Sequence, residues 1–498
     1  MAPLKLKGII VLAFTSIVAC SGADGKKEGA GAGDEVPAWP LSTKSAEARD
    51  HFEKGERGIE EGRIDLANAE FKRSVASDSA FALGYARIAQ YGLSFDEYKA
   101  NLERSYAYAT TANPVEKLQI EMGRKLFVRD QQGAVELAQQ LVALQPKNPR
   151  AYLILSNLQL ATGDVAAARA SAKKAVNLSP NYGGSHLFYG NLFLVEPKDL
   201  AMAEREILAG GKLWPDQPLS YDYLGDVRRR QGRLNDAAAA YTRQIEVLPT
   251  ESEGHNQRGH AYTFLGEYDK ARADYADAAR LGKGNSPAVD LLSRALVDVY
   301  AGNPDKGLAG IEQLVGGIDG MGIPEPEGLK INTLDAEMVI ASHLHKFDIA
   351  DRAVARIDSL NWKFAERSGN ADVKRQTQAQ IAWSDGRLAA FKGNFSQARS
   401  KVDENLKLTA ADRDPTKNRS AHAVLGFVAL FQKHFDEAIK EFEQGDPDNI
   451  YQTYHRGLAL EGAGRAAEAK AIFKRVAVYN FNGAGYAVIR ADAIARAK

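Results

Sequence analysis

Few residue combinations in this chain have the types and spacing that catalysis or metal binding requires. Gly462-Ala463-Gly464-Arg465-Ala466-Ala467 has the GxGxxA spacing of a dinucleotide-binding turn. Such a turn works between a strand and a helix, where glycines let the backbone approach a pyrophosphate. Here helical sequence precedes it, at a repeat's own turn, which sets the cofactor reading aside. His343 and His345 are two apart and diverge on a helix, and His255 and His260, five apart, are little better placed to share a metal ion. No GxxxxGKS, GxxxxGKT, HExxH or GxSxG occurs. The expectation is therefore no enzyme, no metal and no cofactor.

The chemistry that the residue types do support is covalent lipid attachment at Cys20, the sole cysteine. Lys5 and Lys7 precede an apolar run from Gly8 to Ala19, which has the charge order of an export signal. The run is too short for a spanning helix, which needs roughly 20 residues. It ends Ile17-Val18-Ala19-Cys20, followed by Ser21-Gly22. This resembles the bacterial lipobox, with Ile17 where Leu is more usual; an ordinary secretory signal containing a Cys is the competing reading. The resemblance implies cleavage before Cys20 and palmitate-type acylation there. Each buried methylene contributes about 0.8 kcal/mol, so several chains on one residue anchor stably. Ser21, not Asp, follows the Cys, which by resemblance to enteric lipoproteins favours the outer membrane facing the periplasm. Residues 20–44 then read as lipidated Cys plus tether, because SGADGKKEGAGAGDEVPA from Ser21 to Ala38 cannot bury apolar area. A coil of this length spans roughly 25 Å. Trp39 and Leu41 are expected to strap onto the first helix pair.

Lysine plus arginine and aspartate plus glutamate each total 64. This balance gives no reason for nucleic acid or anionic lipid as a partner. Losing residues 1–19 removes Lys5 and Lys7 and no acid, for a mature net charge of −2. Mean hydropathy of −0.35 describes a soluble body beyond the signal.

That body is periodic. Tyr221, Leu224, Gly225, Gly232, Leu234, Ala237, Tyr241 and Pro249 are answered 34 residues later by His255, Arg258, Gly259, Gly266, Tyr268, Ala271, Tyr275 and Lys283. The layout resembles the tetratricopeptide repeat, a helix–turn–helix unit that stacks because one pair cannot bury both its apolar sides. The same slots recur from Ala48 to Phe473, loosely between Tyr85 and Pro146 and after Lys283. The resemblance implies an all-α superhelix of about twelve helix pairs. The expected divisions are a signal over 1–19, arrays over 45–315 and 331–481, and a capping helix over 482–498. Gly316 to Lys330, GGIDGMGIPEPEGLK, separates the arrays; its composition opposes helix and points to a hinge or protruding loop.

In tetratricopeptide arrays ligands lie against the first helix of each pair. Carried onto this sequence, slots five and nine are Leu153 and Asn157, Leu187 and Asn191, Asp222 and Asp226, and Asn256 and His260, with Arg229 and Arg230 at slots twelve and thirteen. Asp226 and Arg230 are spaced for an i,i+4 ion pair. Leu153 and Phe188 stand where the family's carboxylate clamp for chaperone tails needs Asn and Lys, which disfavours that ligand. Trp383, Phe427 and Tyr454 take slot five or nine in three late units. Exposed in a row they would anchor a peptide or helix; the alternative is that they pack between units. The function expected is a non-enzymatic, lipid-tethered adaptor of the bacterial envelope that binds protein segments in its concave groove. The alternative is a carrier or capture module for polysaccharide or peptide in export or uptake.

Overall fold

The computed structural model describes residues 36–92, 95–323 and 325–498. Cys20, the export signal and the tether to residue 35 lie outside them. Among the described residues there are twelve helix pairs and one further helix, and no strand. The first four pairs are α1 Ala46–Glu60 with α2 Ile64–Ser77, α3 Ala82–Tyr91 with α4 Phe95–Tyr108, α5 Pro114–Phe127 with α6 Gln131–Leu144, and α7 Pro149–Ala161 with α8 Val165–Leu178. Then come α9 Gly183–Asn191 with α10 Leu200–Leu213, α11 Pro218–Arg230 with α12 Leu234–Val247, α13 Glu253–Leu265 with α14 Tyr268–Leu281, and α15 Ser286–Tyr300 with α16 Pro304–Gly317. The last four are α17 Glu327–His343 with α18 Phe347–Ser368, α19 Ala371–Phe391 with α20 Phe395–Thr409, α21 Arg419–Phe431 with α22 Phe435–Glu443, and α23 Ile450–Gly462 with α24 Ala466–Ala477. Helix α25, Ala484–Arg496, ends the chain.

Two contacts recur among the pairs. Between the helices, Gly62, Gly163, Gly232, Gly266, Gly302, Gly393 and Gly464 turn the chain at φ of 75–85°, where a Cβ would be strained. Arg129, His345 and Lys433 hold the same slot at φ of 58–63°. Within the pair, a first-helix glycine receives an aromatic ring of the second helix. A Cβ on Gly259 would lie 2.9 Å from Tyr275, and one on Gly426 would lie 2.6 Å from Phe442. Gly55 with Phe71, Gly225 with Tyr241 and Gly457 with Phe473 repeat the arrangement. Small residues and caps do the rest. Ala237, Ala271 and Ala438 are fully buried at the crossings, and Asn113 and Glu116 cap α5 reciprocally.

The stack curves toward its first helices. From α7 to α23 each first helix touches the first helix of the next unit, whereas neighbouring second helices make no comparable contact. The first helices therefore form the shorter, inner layer. The coil is tight enough for separated units to meet. Ala89, Tyr98 and Leu102 pack with Ala365 and Val373, Arg413 donates to Glu136 at 2.6 Å, and Arg475 pairs with Glu196.

Three expectations change. Helix α16 runs into the glycine-rich stretch as far as Gly317, and a 3-10 turn over Ile318–Met321 follows. Ile318 and Ile323 are buried with Leu314 and Leu329, so apolar anchors override the helix-breaking composition. Residues 36–44 are strapped across the first four units, beyond the first pair. Trp39 is 4% exposed and its indole N–H donates to Glu56 at 3.0 Å, while Asn148 donates to the Pro37 carbonyl at 3.1 Å. Finally, α25 packs on α24 but also on α15, α17 and α23, three inner-layer helices. It caps the last unit and crosses the concave side as well.

The two glycine types should fail differently. Gly232→Ala adds a Cβ that meets nothing within 4 Å and bears only the left-handed backbone cost, about 1–2 kcal/mol. Gly225→Ala drives a methyl into the Tyr241 ring and should cost more, up to about 3 kcal/mol from overpacking. Denaturant unfolding of the two variants measures the order.

Candidate functional site

The slot residues of α11, α13 and α15 meet on the inner layer as one buried polar cluster. Asp226 accepts from Arg229 Nη2 at 2.7 Å and from the Tyr241 hydroxyl at 2.8 Å. The i,i+4 pair with Arg230 does not form. Arg230 instead donates to the Leu194 carbonyl at 3.2 Å and lies 3.7 Å above the Phe481 ring. Asn256 donates to Asp290 at 2.6 Å, and Gln257 donates to Glu253 at 2.6 Å. His260 Nδ1 is 2.6 Å from the Tyr275 hydroxyl, whereas His255 turns to Asp274 at 3.3 Å, so the two histidines part. Asn157 on α7 and Asn191 at the end of α9 are half-buried, outside this hydrogen-bonded group.

Burial dominates the electrostatics. The Asp222 carboxyl is raised well above the carboxylate range by desolvation, and then by Asp226 and Glu253. Burial pushes Glu253 up to about 7 and Asp290 up to about 6. Burial, and next the Arg229 charge, lower His260, which keeps its ring neutral.

The chain's own C-terminal segment closes this end of the groove. Phe481 lies 4.0 Å from the Arg229 guanidinium, Asn480 donates to the Arg229 carbonyl at 3.2 Å, and Asn482 donates to Tyr275 at 3.4 Å. The Tyr300 hydroxyl meets the Gly483 carbonyl at 3.4 Å, and Arg490 of α25 donates to the Phe264 carbonyl at 3.0 Å. Neither Phe481 nor Asn480 is reachable from repeat periodicity, because both follow the last unit. Asp290 is reachable: it stands 34 residues after Asn256 in the same slot.

The row of exposed aromatics is not present. Phe427 is 2% exposed, with ring centroids of Phe391 at 5.1 Å, Phe442 at 5.3 Å and His455 at 5.0 Å. Tyr454 is 5% exposed and donates to Asp492 of α25 at 2.5 Å. Trp383 is half-buried against the same core, its ring 5.7 Å from the Arg387 guanidinium. Large apolar rings at inner slots are drawn between layers because hiding them there removes the most apolar surface from water. The histidines expected to diverge do so, but His343 is joined by a distant one: its ring centroid is 6.3 Å from that of His455, and its Nδ1 is 2.9 Å from the Tyr451 hydroxyl. Among the described residues no three His, Cys, Asp or Glu side chains are gathered as a metal site.

A tetratricopeptide-repeat family model matches residues 149–182 and 252–281, which are the α7–α8 and α13–α14 pairs. The chain contains tetratricopeptide repeats. No curated protein matches it. Three solved structures are similar at low identity. A human IFIT1 dimer with m7Gppp-AAAA is 14% identical, with 87% of this chain and 90% of that one covered and a TM-score of 0.39. A tetratricopeptide repeat protein from Parabacteroides merdae is 17% identical, with 56% and 99% covered and a TM-score of 0.34. YrrB, described as a TPR protein with an unusual peptide-binding site, is 18% identical, with 37% and 93% covered and a TM-score of 0.28. No ligand is carried over from any of them. The repeats account for the helix pairing, and the site rests on this chain's own residues.

Two outcomes are expected. Phe427→Ala opens a cavity among rings and should cost about 3–5 kcal/mol in denaturant unfolding. The raised Glu253 and Asp290 carboxyls hold protons in the folded state that the unfolded chain has released, so the stability they contribute is lost as pH rises from about 4 through their folded values of about 7 and about 6. Glu253→Gln should flatten this part of the melting profile, removing about 2–3 kcal/mol of pH dependence; an unchanged profile would show that Glu253 ionises normally.

Proposed function

We propose that this protein is a non-enzymatic adaptor that holds protein segments against its inner layer of helices, and that it does so from a lipid anchor at Cys20 in a bacterial envelope. The observation that supports the binding part is the unbroken inner layer from α7 to α23, in which first helices touch one another. Such a layer offers side chains at regular 34-residue steps to an extended or helical partner, as the Asn157 and Asn191 positions illustrate. Phe481 and α25 lie across the units from α11 to α17, and Asn157 and Asn191, half-buried on α7 and α9, are the slot residues outside that cover. The anchoring part is supported by the charge order, the run length and the position of the sole cysteine. On this reading the tether joins the folded body at the amino-terminal units, where Trp39 fastens the chain to α1. An outer-membrane position facing the periplasm follows from Ser21 and belongs to the same proposal.

Two measurements separate the parts. Cys20→Ala should move the protein from the membrane fraction to the soluble fraction; a variant that stays membrane-bound without processing removes the lipid anchor. In-cell crosslinking with mass spectrometry on the anchored protein should return partners bridged to α7 and α9. Crosslinks confined to the chain itself would remove the adaptor reading.

A further inference from the structure

One connection of the array reaches past its own unit to the opposite turn of the coil. Residues 410–418, AADRDPTKN, join α20 to α21. Their shape is set on their own side. The Thr416 amide and hydroxyl both donate to Asp414, each at 2.7 Å. Lys417 donates to the carbonyls of Ala410 at 2.6 Å and Asp412 at 2.8 Å, and Arg375 of α19 donates to Asp412 at 2.6 Å. The hold on the earlier turn of the coil is slighter. Arg413 pairs with Glu136 of α6 at 2.6 Å and lies 3.6 Å from Asp130. Thr416 rests over the connection between α7 and α8, where a Cβ on Gly163 would stand 3.0 Å from its methyl group. Firmer contacts flank this one. Ala89, Tyr98 and Leu102 are buried with Ala365 and Val373 on one side, and Phe481 stacks on Arg229 and Arg230 on the other.

The grip of the loop is of a kind that yields. Arg413 and Glu136 are 51% and 49% exposed, and ion pairs at such positions contribute little and are screened by salt. A second charge works against closure. Arg129, between α5 and α6, faces Asp412, which favours its charge, and Arg375, which opposes it, while burial pushes its guanidinium down to about 10. Its Nε is buried with no acceptor among the described residues. A buried charge paired so incompletely costs free energy that hydration would restore. A preshaped loop, an exposed ionic grip and an opposing buried charge leave the closed and released arrangements close in free energy. We propose that residues 410–418 are a releasable clasp between turns of the coil, fastened by Arg413 to Glu136 and Asp130, whose opening loosens the coil beside α7. As a means of admitting a partner to α7 the clasp rests on the adaptor reading; as a moving part it does not.

Paired spin labels measure the movement without any partner. Gln140 on α6 and Ala411 in the loop are both exposed, and the sole cysteine is Cys20, so Gln140→Cys and Ala411→Cys are introduced into the full chain with Cys20→Ala. At low salt the labels should report one short separation. Salt at about 1 M, where the screening length falls to about 3 Å, should add a longer one. Arg413→Glu should raise the longer population about threefold or more at low salt, and adding Glu136→Arg should reverse most of that rise. Both positions are exposed, so circular dichroism should show the helices intact in every variant. A separation unmoved by salt and by Arg413→Glu would overturn the clasp. A longer population that the charge exchange does not reduce would overturn Arg413 as its fastener. Either failure leaves the adaptor reading to be decided by crosslinks to α7 and α9.

Discussion

A second-helix aromatic ring pressed onto a first-helix glycine is the contact on which the rest of this molecule depends. Gly225 with Tyr241, Gly259 with Tyr275 and Gly426 with Phe442 are instances of it. The ring needs the space where a Cβ would stand, so it fixes the distance and the rotation of the two helices together. Every later feature inherits that geometry. Because units stack on their neighbours alone, small identical steps accumulate. Closer contact among first helices than among second helices then bends the stack into a coil.

The coil has a consequence that no single unit contains. It carries residues 479–496 back onto units three to six repeats earlier, where Phe481 covers Arg229 and α25 lies on α15 and α17. A side chain at an inner slot is then no longer facing water. Asp222, Glu253 and Asp290 become buried carboxyls whose protons are held by desolvation. The same closure covers the inner layer between Arg229 and Phe264 with the chain's own C-terminal segment.

Legibility in the sequence followed the range of the forces involved. Pair boundaries, turn glycines and crossing alanines are set within about one repeat, and the 34-residue pattern located them from Ala48 to Phe473. The inner-slot residues Asp222, Asp226, Asn256 and His260 were located by the same pattern, and they do meet in one cluster. Their partners were not. Asp226 pairs with Arg229, while Arg230 lies on Phe481, outside the repeats, and donates to the Leu194 carbonyl. Phe427 and Tyr454 occupy inner slots yet lie in the core, since slot position fixes the direction of a side chain and not what later covers it.

What the sequence determined by itself is the unit: a helix, a left-handed turn, a second helix, and the small and large residues that let them cross. It determined the number of units as well, because each announces itself through local spacing. What only the tertiary structure decided is how the stack closes. The contacts of Arg229 with Phe481, of Tyr454 with Asp492 and of Glu136 with Arg413 join residues up to 277 positions apart. They exist because curvature summed over many units brings distant surfaces together. That sum depends on small packing differences in each layer, which a repeat pattern does not record.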